Sequence, residues 1–460
     1  MNENQNIFES MPVPTALMSL AVPTILSQLV TMIYNVADTY FVGRTGNPLM
    51  VAAVSLAYTL FFVLNSLSNL FGIGGGSLVS RLLGEGKPED AKKVSSFSFY
   101  ATIAVALLYS LACLIYMDPL LRFLGASYNT IGFGREYLLW VVVVGGIPAT
   151  LGMTMAHLLR SEGYAKQASF GLAFGGILNI FLDPLFMFVL MPDGMEVAGA
   201  AVATMLSNVV VLVYFFIIFA QLGGKTVLSI SPRDILPNKK YIGPIFAVGF
   251  PSAIGSFLVC VSNMTINHLA SGYGDIPVAA FGIVKKIDML PMNVGMGLCQ
   301  GMMPLIAYNY AAKNYKRMNA VGNFARLCGI SFAALCIVVF EVFSVGLIHL
   351  FINDDKTVEL GAHFLRIACL ATPFMITNFQ MSYTFQAMGK GAESLILSSC
   401  RQGIINIPLL IAMNIWFGLY GIIWTQLLAD GITLTITFGL YIRIHKQLRF
   451  EESLTEEAKA

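Results

Sequence analysis

Charge is scarce in this sequence. Only 11% of the 460 residues are Asp, Glu, Lys or Arg, against about 25% in an ordinary soluble domain, while 57% are hydrophobic. That balance excludes a soluble globular domain and points to a membrane protein. A net charge of +2, without a block of like charges, excludes a nucleic-acid partner and a charged interaction tail. The seven cysteines (Cys113, Cys260, Cys299, Cys328, Cys336, Cys369, Cys400) are odd in number, lie in apolar segments and form no CxxC. Neither a disulfide framework nor a zinc site is indicated. A GxxxxGK[ST] loop is missing too: GGKT at 223 lacks the glycine five positions before Gly224, and GEGKP at 84 lacks the following Ser or Thr. This argues against a primary pump. No HExxH or GxSxG suggests an enzyme, and no appended domain or pore loop suggests a receptor or channel. The first fourteen residues carry Glu3 and Glu9 but no Lys or Arg, and the apolar run behind them is too long for a signal-peptide core. The first apolar segment is therefore expected to remain in the mature protein.

Long apolar runs are what the chain has in place of charge. A helix crosses the ~30 Å hydrocarbon layer in about 20 residues. Segments of that length fall at 15–42, 52–80, 94–116, 137–159, 167–190, 197–220, 241–270, 278–308, 321–351, 359–388, 392–415 and 418–442. The expectation is an all-α integral membrane protein of twelve transmembrane helices; runs this long exclude a transmembrane barrel, whose strands are about 10 residues of alternating polarity. Lys and Arg crowd the loops on the side of both termini, among them Lys87, Lys92, Lys93, Lys239, Lys240, Lys316 and Arg443. The other side has only Arg44, Arg122, Arg135 and Lys356. The positive-inside rule then predicts a multi-pass protein of the plasma or inner membrane with both termini in the cytoplasm.

The polar stretch 221–240, QLGGKTVLSISPRDILPNKK, divides the chain. It predicts a first six-helix lobe over 1–220, a cytoplasmic linker over 221–240, a second lobe over 241–450 and a polar tail over 451–460. A shift of about 227 residues aligns the halves: VAAVSLAY at 51 falls on VAAFGIVK at 278, Pro148 on Pro373, Asn179 on Asn406, and Pro23 within one residue of Pro251. Six spans per half give both halves one orientation, related by a pseudo-twofold axis along the membrane normal. Parallel repeats of this kind enclose a central site in secondary transporters.

A charge inside hydrocarbon costs at least ~2.5 kcal/mol, so it normally faces the bundle interior and finds a partner. In the second half each acid has a base at similar depth: Glu341 with Arg366, Asp430 with Arg401, and Asp288 three residues from Lys285. All three are expected to be structural ion pairs. The first half has two acids in its spans, Asp38 and Asp183, and no Lys or Arg; His157 is the nearest base, at the cytoplasmic end of the fourth span. Both acids lie toward the outer leaflet and can meet at one depth. Two carboxylates without a basic partner must take up a proton or a metal cation. Asn179 precedes Asp183 by one helical turn, Pro184 leaves the carbonyl of Ile180 free, and Thr204 can add a hydroxyl. These are hard oxygen ligands suited to Na⁺ or to a protonated acid. The competing readings are an interfacial Asp38 paired with Arg44, and Asp183 as a kink residue bonded to its neighbours. In the second half Asp38 is matched by Thr265 or Ile266 and Asp183 by a position near Leu410, so coupling should be asymmetric.

Several stretches together carry a family resemblance: LAVPTILSQLVTMIYNVADTYFVG, NLFGIGGGSLVSRLLGEGKPEDAKKVSSFS, LNIFLDP and GMGLCQGMMPLIAYNYAAKN. The chain resembles the multidrug and toxic compound extrusion (MATE) family, in its DinF branch and close to MepA-like members, over nearly its whole length. The resemblance implies two six-helix lobes around a cavity. It implies export of organic cations and other amphiphilic drugs by a cation-coupled antiporter, with H⁺ or Na⁺ as coupling ion and no other cofactor. It further implies that Asp38, Asn179 and Asp183 act in coupling, with Thr204 less firmly matched, and that the first span bends at the hinge Pro23. If Na⁺ is the ion, Asp38, Asn179 and Asp183 are its ligands. Spans seven and ten lack the central acid of the NorM branch. The expected partners are small amphiphilic substrates and the bilayer, and a monomer is expected. Met289, Met292, Met296, Met302 and Met303, with Gln300 and Asn293, make the eighth span a candidate substrate wall, since methionine adapts to varied apolar ligands. The rival reading is a lipid-linked oligosaccharide or lipid flippase of the same superfamily, which would place cations such as Lys285 and Lys286 on a shared cavity. A major facilitator transporter is disfavoured because GEGKPEDAKK lacks a DRxGRR-like loop.

Overall fold

The computed structural model describes residues 3–235 and 239–457. Its helices are α1 (Glu3–Glu9), α2 (Val13–Arg44), α3 (Pro48–Gly84), α4 (Pro88–Ile115), α5 (Met117–Phe123), α6 (Ile131–Leu138), α7 (Gly146–Ser161), α8 (Ala165–Leu185) and α9 (Glu196–Leu222) in the first half. The second half has α10 (Lys239–Ser271), α11 (Asp275–Ala311), α12 (Tyr315–His349), α13 (Asp355–Cys369), α14 (Thr372–Ala387), α15 (Gly391–Ser399) and α16 (Asn406–Glu457). π-helical turns join α6 to α7 (Leu139–Val144), extend α8 (Phe186–Leu190) and join α15 to α16 (Cys400–Ile404).

Twelve membrane crossings follow. Helices α2, α3, α4, α9, α10 and α12 each cross once, as do α8 with its π turn and the bent pairs α6–α7 and α13–α14. Helix α11 is long enough to cross and is less apolar because it carries Lys285, Lys286 and Asp288. The run Gly391–Gln447 is 57 residues, long enough for two crossings. It reverses at Gly418 (φ 60, ψ −140), a backbone conformation open to glycine. Asn406 lies against Gln426 across the reversal, Nδ2 to Oε1 3.4 Å. The repeat survives in shape: α6–α7 bends by 48° and α13–α14 by 44° at equivalent points.

Helix starts follow ordinary chemistry. Asn47 accepts from the amide of Leu49 at 3.0 Å with Pro48 behind it, and Asp354 accepts from Thr357 N at 2.9 Å. The faces are inverted relative to a soluble bundle. Helix α8 turns Phe170, Phe174 and Phe181 outward and buries Gly175, Gly176, Asn179 and Asp183. Between lipid-covered helices, packing rather than the hydrophobic effect drives association, and small residues let backbones approach.

The halves pack as two six-helix bundles and meet along α2 with α11 and α3 with α10. Their tightest approaches fall in the half of the membrane nearest the chain termini. A methyl on Gly249 would run into the carbonyl of Leu70, and one on Gly301 into the backbone of Ala21. Ser77 Oγ donates to Gln386 O at 2.7 Å across the same seam. Helix α1, which the sequence reading did not anticipate, covers that end: Phe8 stacks on Tyr308 with ring centroids 4.9 Å apart, and Arg317 Nε donates to Phe8 O at 2.7 Å. The linker is no free loop where it is described. Val227 N donates to Glu162 Oε1 at 2.8 Å, Ser96 Oγ to Ser231 O at 2.8 Å and Tyr100 OH to Ile230 O at 3.0 Å, all on the first lobe. Residues 236–238 of the linker and 458–460 of the polar tail lie outside the described residues; up to Glu457 that tail continues α16.

Overpacking a tight backbone contact costs ~1–3 kcal/mol. Gly249→Ala is therefore expected to lower the thermal unfolding midpoint of the purified protein, and an unchanged midpoint would contradict the close approach of α10 to α3.

Candidate functional site

Helices α2, α8 and α9 build the site in the first lobe. Tyr34 of α2 lies over Gly176 of α8, where a methyl would come within 2.9 Å of its ring. One turn further along α2 is Asp38; one turn further along α8 is Asn179, and after another turn Asp183. This packing brings Asp38 and Asp183 close enough for their charges to interact. Asn179 Nδ2 donates to Asp183 Oδ1 at 3.0 Å and approaches Thr204 Oγ1 of α9 at 3.4 Å. All four residues read from the sequence are thus neighbours. Asp183 is fully buried and Asn179 is 3% exposed.

Three oxygens in this cluster are buried without a hydrogen-bond partner: Asp38 Oδ1, Asn179 Oδ1 and Asp183 Oδ2. Among the described residues neither carboxylate forms an ion pair. Arg44 is exposed and unpaired with Asp38, against the interfacial-pair reading, while Asp183 is bonded to Asn179 beside Pro184 and keeps its second oxygen without a partner. Buried acceptors without donors, two of them on acids, attract a proton or a hard cation. Among the described residues no three His, Cys, Asp or Glu cluster as a transition-metal site would. The oxygen set of two carboxylates, one carboxamide and one hydroxyl is of the hard kind that a proton or Na⁺ could neutralise. Tyr34, Tyr58 and Tyr137 lie in the neighbourhood of Asp38 and were missed in the sequence. Tyr34 was detectable, four residues before Asp38 on one helical face; Tyr58 and Tyr137 sit on other helices and carry no local signal. Pro23 lies inside α2, which runs through it as one continuous helix.

Asp430 of the second lobe is neutralised from within. Arg401 Nε donates to Asp430 Oδ1 at 2.6 Å, both side chains being buried, and Gln426 Nε2 donates to Asp430 Oδ2 at 2.9 Å. Asn406, the counterpart of Asn179, donates to Ser262 Oγ at 3.1 Å, and Leu410 is buried apolar where the first lobe has Asp183. Arg366 and Glu341 lie 3.8 Å apart with side chains 41% and 42% exposed, a loose pair, while Arg366 Nε donates to Ser344 Oγ at 2.9 Å.

Other expectations are corrected. Lys285 and Asp288 share a helix face but form no ion pair. Both point into a cavity of about 530 Å³ in the second lobe, shared with Gln426 and Asp430. Lys286 is exposed and does not line it. The first-lobe spans do contain arginine: Arg81 lies in α3 and Arg160 in α7, because these helices run further than their apolar cores. His157 lies beside Arg160 in a cavity between the lobes, apart from the acids. The methionine wall disperses. Met302 and Met303 belong to the main core, and Met292 packs on the cluster of Ala333, Met375 and Ile376. Met289 and Met296 are half-buried and line none of the cavities described, Asn293 donates to Met289 O at 2.7 Å, and Gln300 lines the cavity with His157.

A profile of the family described as MatE matches residues 23–185 and again 251–412. The chain belongs to the MATE family. The two MATE matches are offset by 228 residues at their starts and 227 at their ends, the shift read from the sequence. Relatives include the multidrug export protein MepA of Staphylococcus saprophyticus, 33% identical over 433 residues, and MepA of Staphylococcus aureus strain MRSA252, 31% identical over 431; each match covers 94% of both chains. Among solved structures, an outward-facing multidrug resistance MATE transporter superposes with a TM-score of 0.90 at 23% identity, covering 98% of this chain and 99% of that one. A transporter from Pyrococcus furiosus superposes at 0.87 with 24% identity, covering 97% and 99%. The MATE fold is shared with both.

The two acid sites should respond oppositely to neutralisation. Removing one partner of a buried ion pair costs about 3–5 kcal/mol, so Arg401→Met is expected to lower the unfolding midpoint sharply. Asp38→Asn and Asp183→Asn remove unpaired buried acids and are expected to hold or raise it. Thermal unfolding of the three variants side by side tests the contrast.

Proposed function

We propose that this protein is a secondary antiporter that exports organic cations and other amphiphilic drugs from the cytoplasm, coupled to inward movement of H⁺ or Na⁺. The observation that carries the reading is the trio of buried, unpartnered oxygens on Asp38, Asn179 and Asp183. A permanent basic partner would lock such a site, whereas a mobile cation makes its occupancy depend on the ion gradient. Relatives named multidrug export proteins support the substrate class, and the pairing of Asp430 with Arg401 supports a DinF-type mechanism in which only the first lobe couples.

With both termini cytoplasmic, the seam closed by Gly249 and Gly301 lies on the cytoplasmic side, and the conformation faces outward. A cation entering from outside binds Asp38 and Asp183 with help from Asn179 and Thr204. Neutralised, α2 bends at Pro23, narrows the cavity and releases bound drug outward. The lobes then rock about their seam and present the site to the cytoplasm, where the cation leaves and new drug binds. A lipid-linked oligosaccharide or lipid flippase is the second reading, favoured by one observation: Lys285 lines the second-lobe cavity without an ion-pair partner.

Asp38→Asn and Asp183→Asn are expected to abolish drug efflux from everted vesicles with the protein still folded and inserted, and Thr204→Ala to weaken it. Applying a pH gradient and a sodium gradient separately identifies the ion. Full coupled export by Asp38→Asn would overturn the mechanism. Lysine-dependent lipid translocation lost in Lys285→Ala, without drug efflux in the parent, would favour the flippase.

A further inference from the structure

The cavity between the lobes holds a charge that the coupling mechanism does not use. It draws its walls from both lobes: Ser77, His157 and Arg160 from the first, Gln300 and Tyr383 from the second. Arg160 is 3% exposed, and its Nε and Nη1 are buried with no hydrogen-bond partner. Among the described residues no Asp or Glu lines the cavity. Glu162, two residues on, is committed to Thr226 and the amide of Val227. The hydroxyls nearby are spent as donors to backbone carbonyls: Ser77 to Gln386, Ser80 to Ser161 and Ser161 to Leu158.

The guanidinium here has no counter-charge in the cavity lining, and its Nε and Nη1 make no hydrogen bond. Water can satisfy its N–H groups but cannot neutralise it, and an unpaired buried charge costs several kcal/mol. Arginine stays protonated in proteins, so deprotonation offers no escape. The missing component is negative, small enough for the cavity and able to accept from a planar fork of donors.

We propose that this cavity is a binding site for a small inorganic anion, held by Arg160 with Gln300 and Tyr383 supplying further donors from the opposite lobe. Because the ligating groups come from both lobes, the site is whole only while the lobes are closed at this end and is divided when they part. Bound anion therefore stabilises the conformation described here and biases the transport cycle toward it. Chloride and phosphate share the required chemistry, and the measurement distinguishes them.

The test uses the full-length protein in lipid nanodiscs. Thermal unfolding is followed while sodium gluconate is replaced by sodium chloride or by sodium phosphate, at constant sodium concentration, ionic strength and pH. The expected result is a saturable rise in midpoint with one of the two anions. Arg160→Gln should abolish that rise, and Gln300→Ala, a milder change that leaves the charge in place, should shift its half-saturating concentration upward by tenfold or more. Cross-linking of a cysteine pair spanning the seam should become more efficient with the same anion in the parent and not in Arg160→Gln. A midpoint independent of both anions, or a rise that persists unchanged in Arg160→Gln and Gln300→Ala, overturns the proposal.

Discussion

A carboxylate in hydrocarbon must be neutralised, and the structure meets that requirement in two different ways. In the second lobe the neutralising group is covalently part of the chain: Arg401 sits on Asp430, and Gln426 takes the other oxygen. In the first lobe nothing equivalent exists for Asp38 or Asp183. The same bundle, repeated, thus provides one buried acid, Asp430, that is permanently satisfied and two, Asp38 and Asp183, whose neutralisation depends on something arriving. The proposed coupling rests on that difference.

Bringing the two acids together requires helices to approach more closely than large side chains permit. Gly176 lets Tyr34 and α2 settle on α8, which places Asp38 beside Asp183. Close approach also closes the seam between lobes, where Gly249 meets Leu70 and Gly301 meets Ala21. These contacts are backbone against backbone, and side chains of both lobes, Leu17, Leu20 and Ile73 with Val248, Leu298 and Met303, share one core around them. Helix α1 and the stitched linker sit at that same end and add polar bonds to the closed arrangement.

Much of the architecture was legible because a membrane imposes length and polarity directly on the sequence. Spans were readable where the interior was uniformly apolar, and errors arose where helices outran their apolar cores. Arg81 and Arg160 looked like loop residues and are helical; Glu136 lies inside the fourth span, which begins at Ile131. Within a helix, spacing was informative: Asn179 and Asp183 share a face and are bonded. Across helices it was silent, as with Tyr58 and Tyr137 around Asp38. The methionines of α11 failed for a related reason. Composition told of a flexible apolar helix, but only rotation about its axis decides whether Met302 faces a cavity or the core.

From the sequence alone came the membrane setting, the twelve crossings, the internal repeat and the placing of two acids, Asp38 and Asp183, inside apolar runs of the first half. Each is a property of local composition or of one helix's periodicity, and hydrocarbon reads those without reference to a fold. Tertiary structure alone decided that Asp38 and Asp183 share one environment, that Lys285 and Asp288 stay apart despite their spacing, and that Arg160 is buried between the lobes. These depend on how helices distant in the chain rotate and pack, and electrostatics acts over distances in space that sequence separation does not encode.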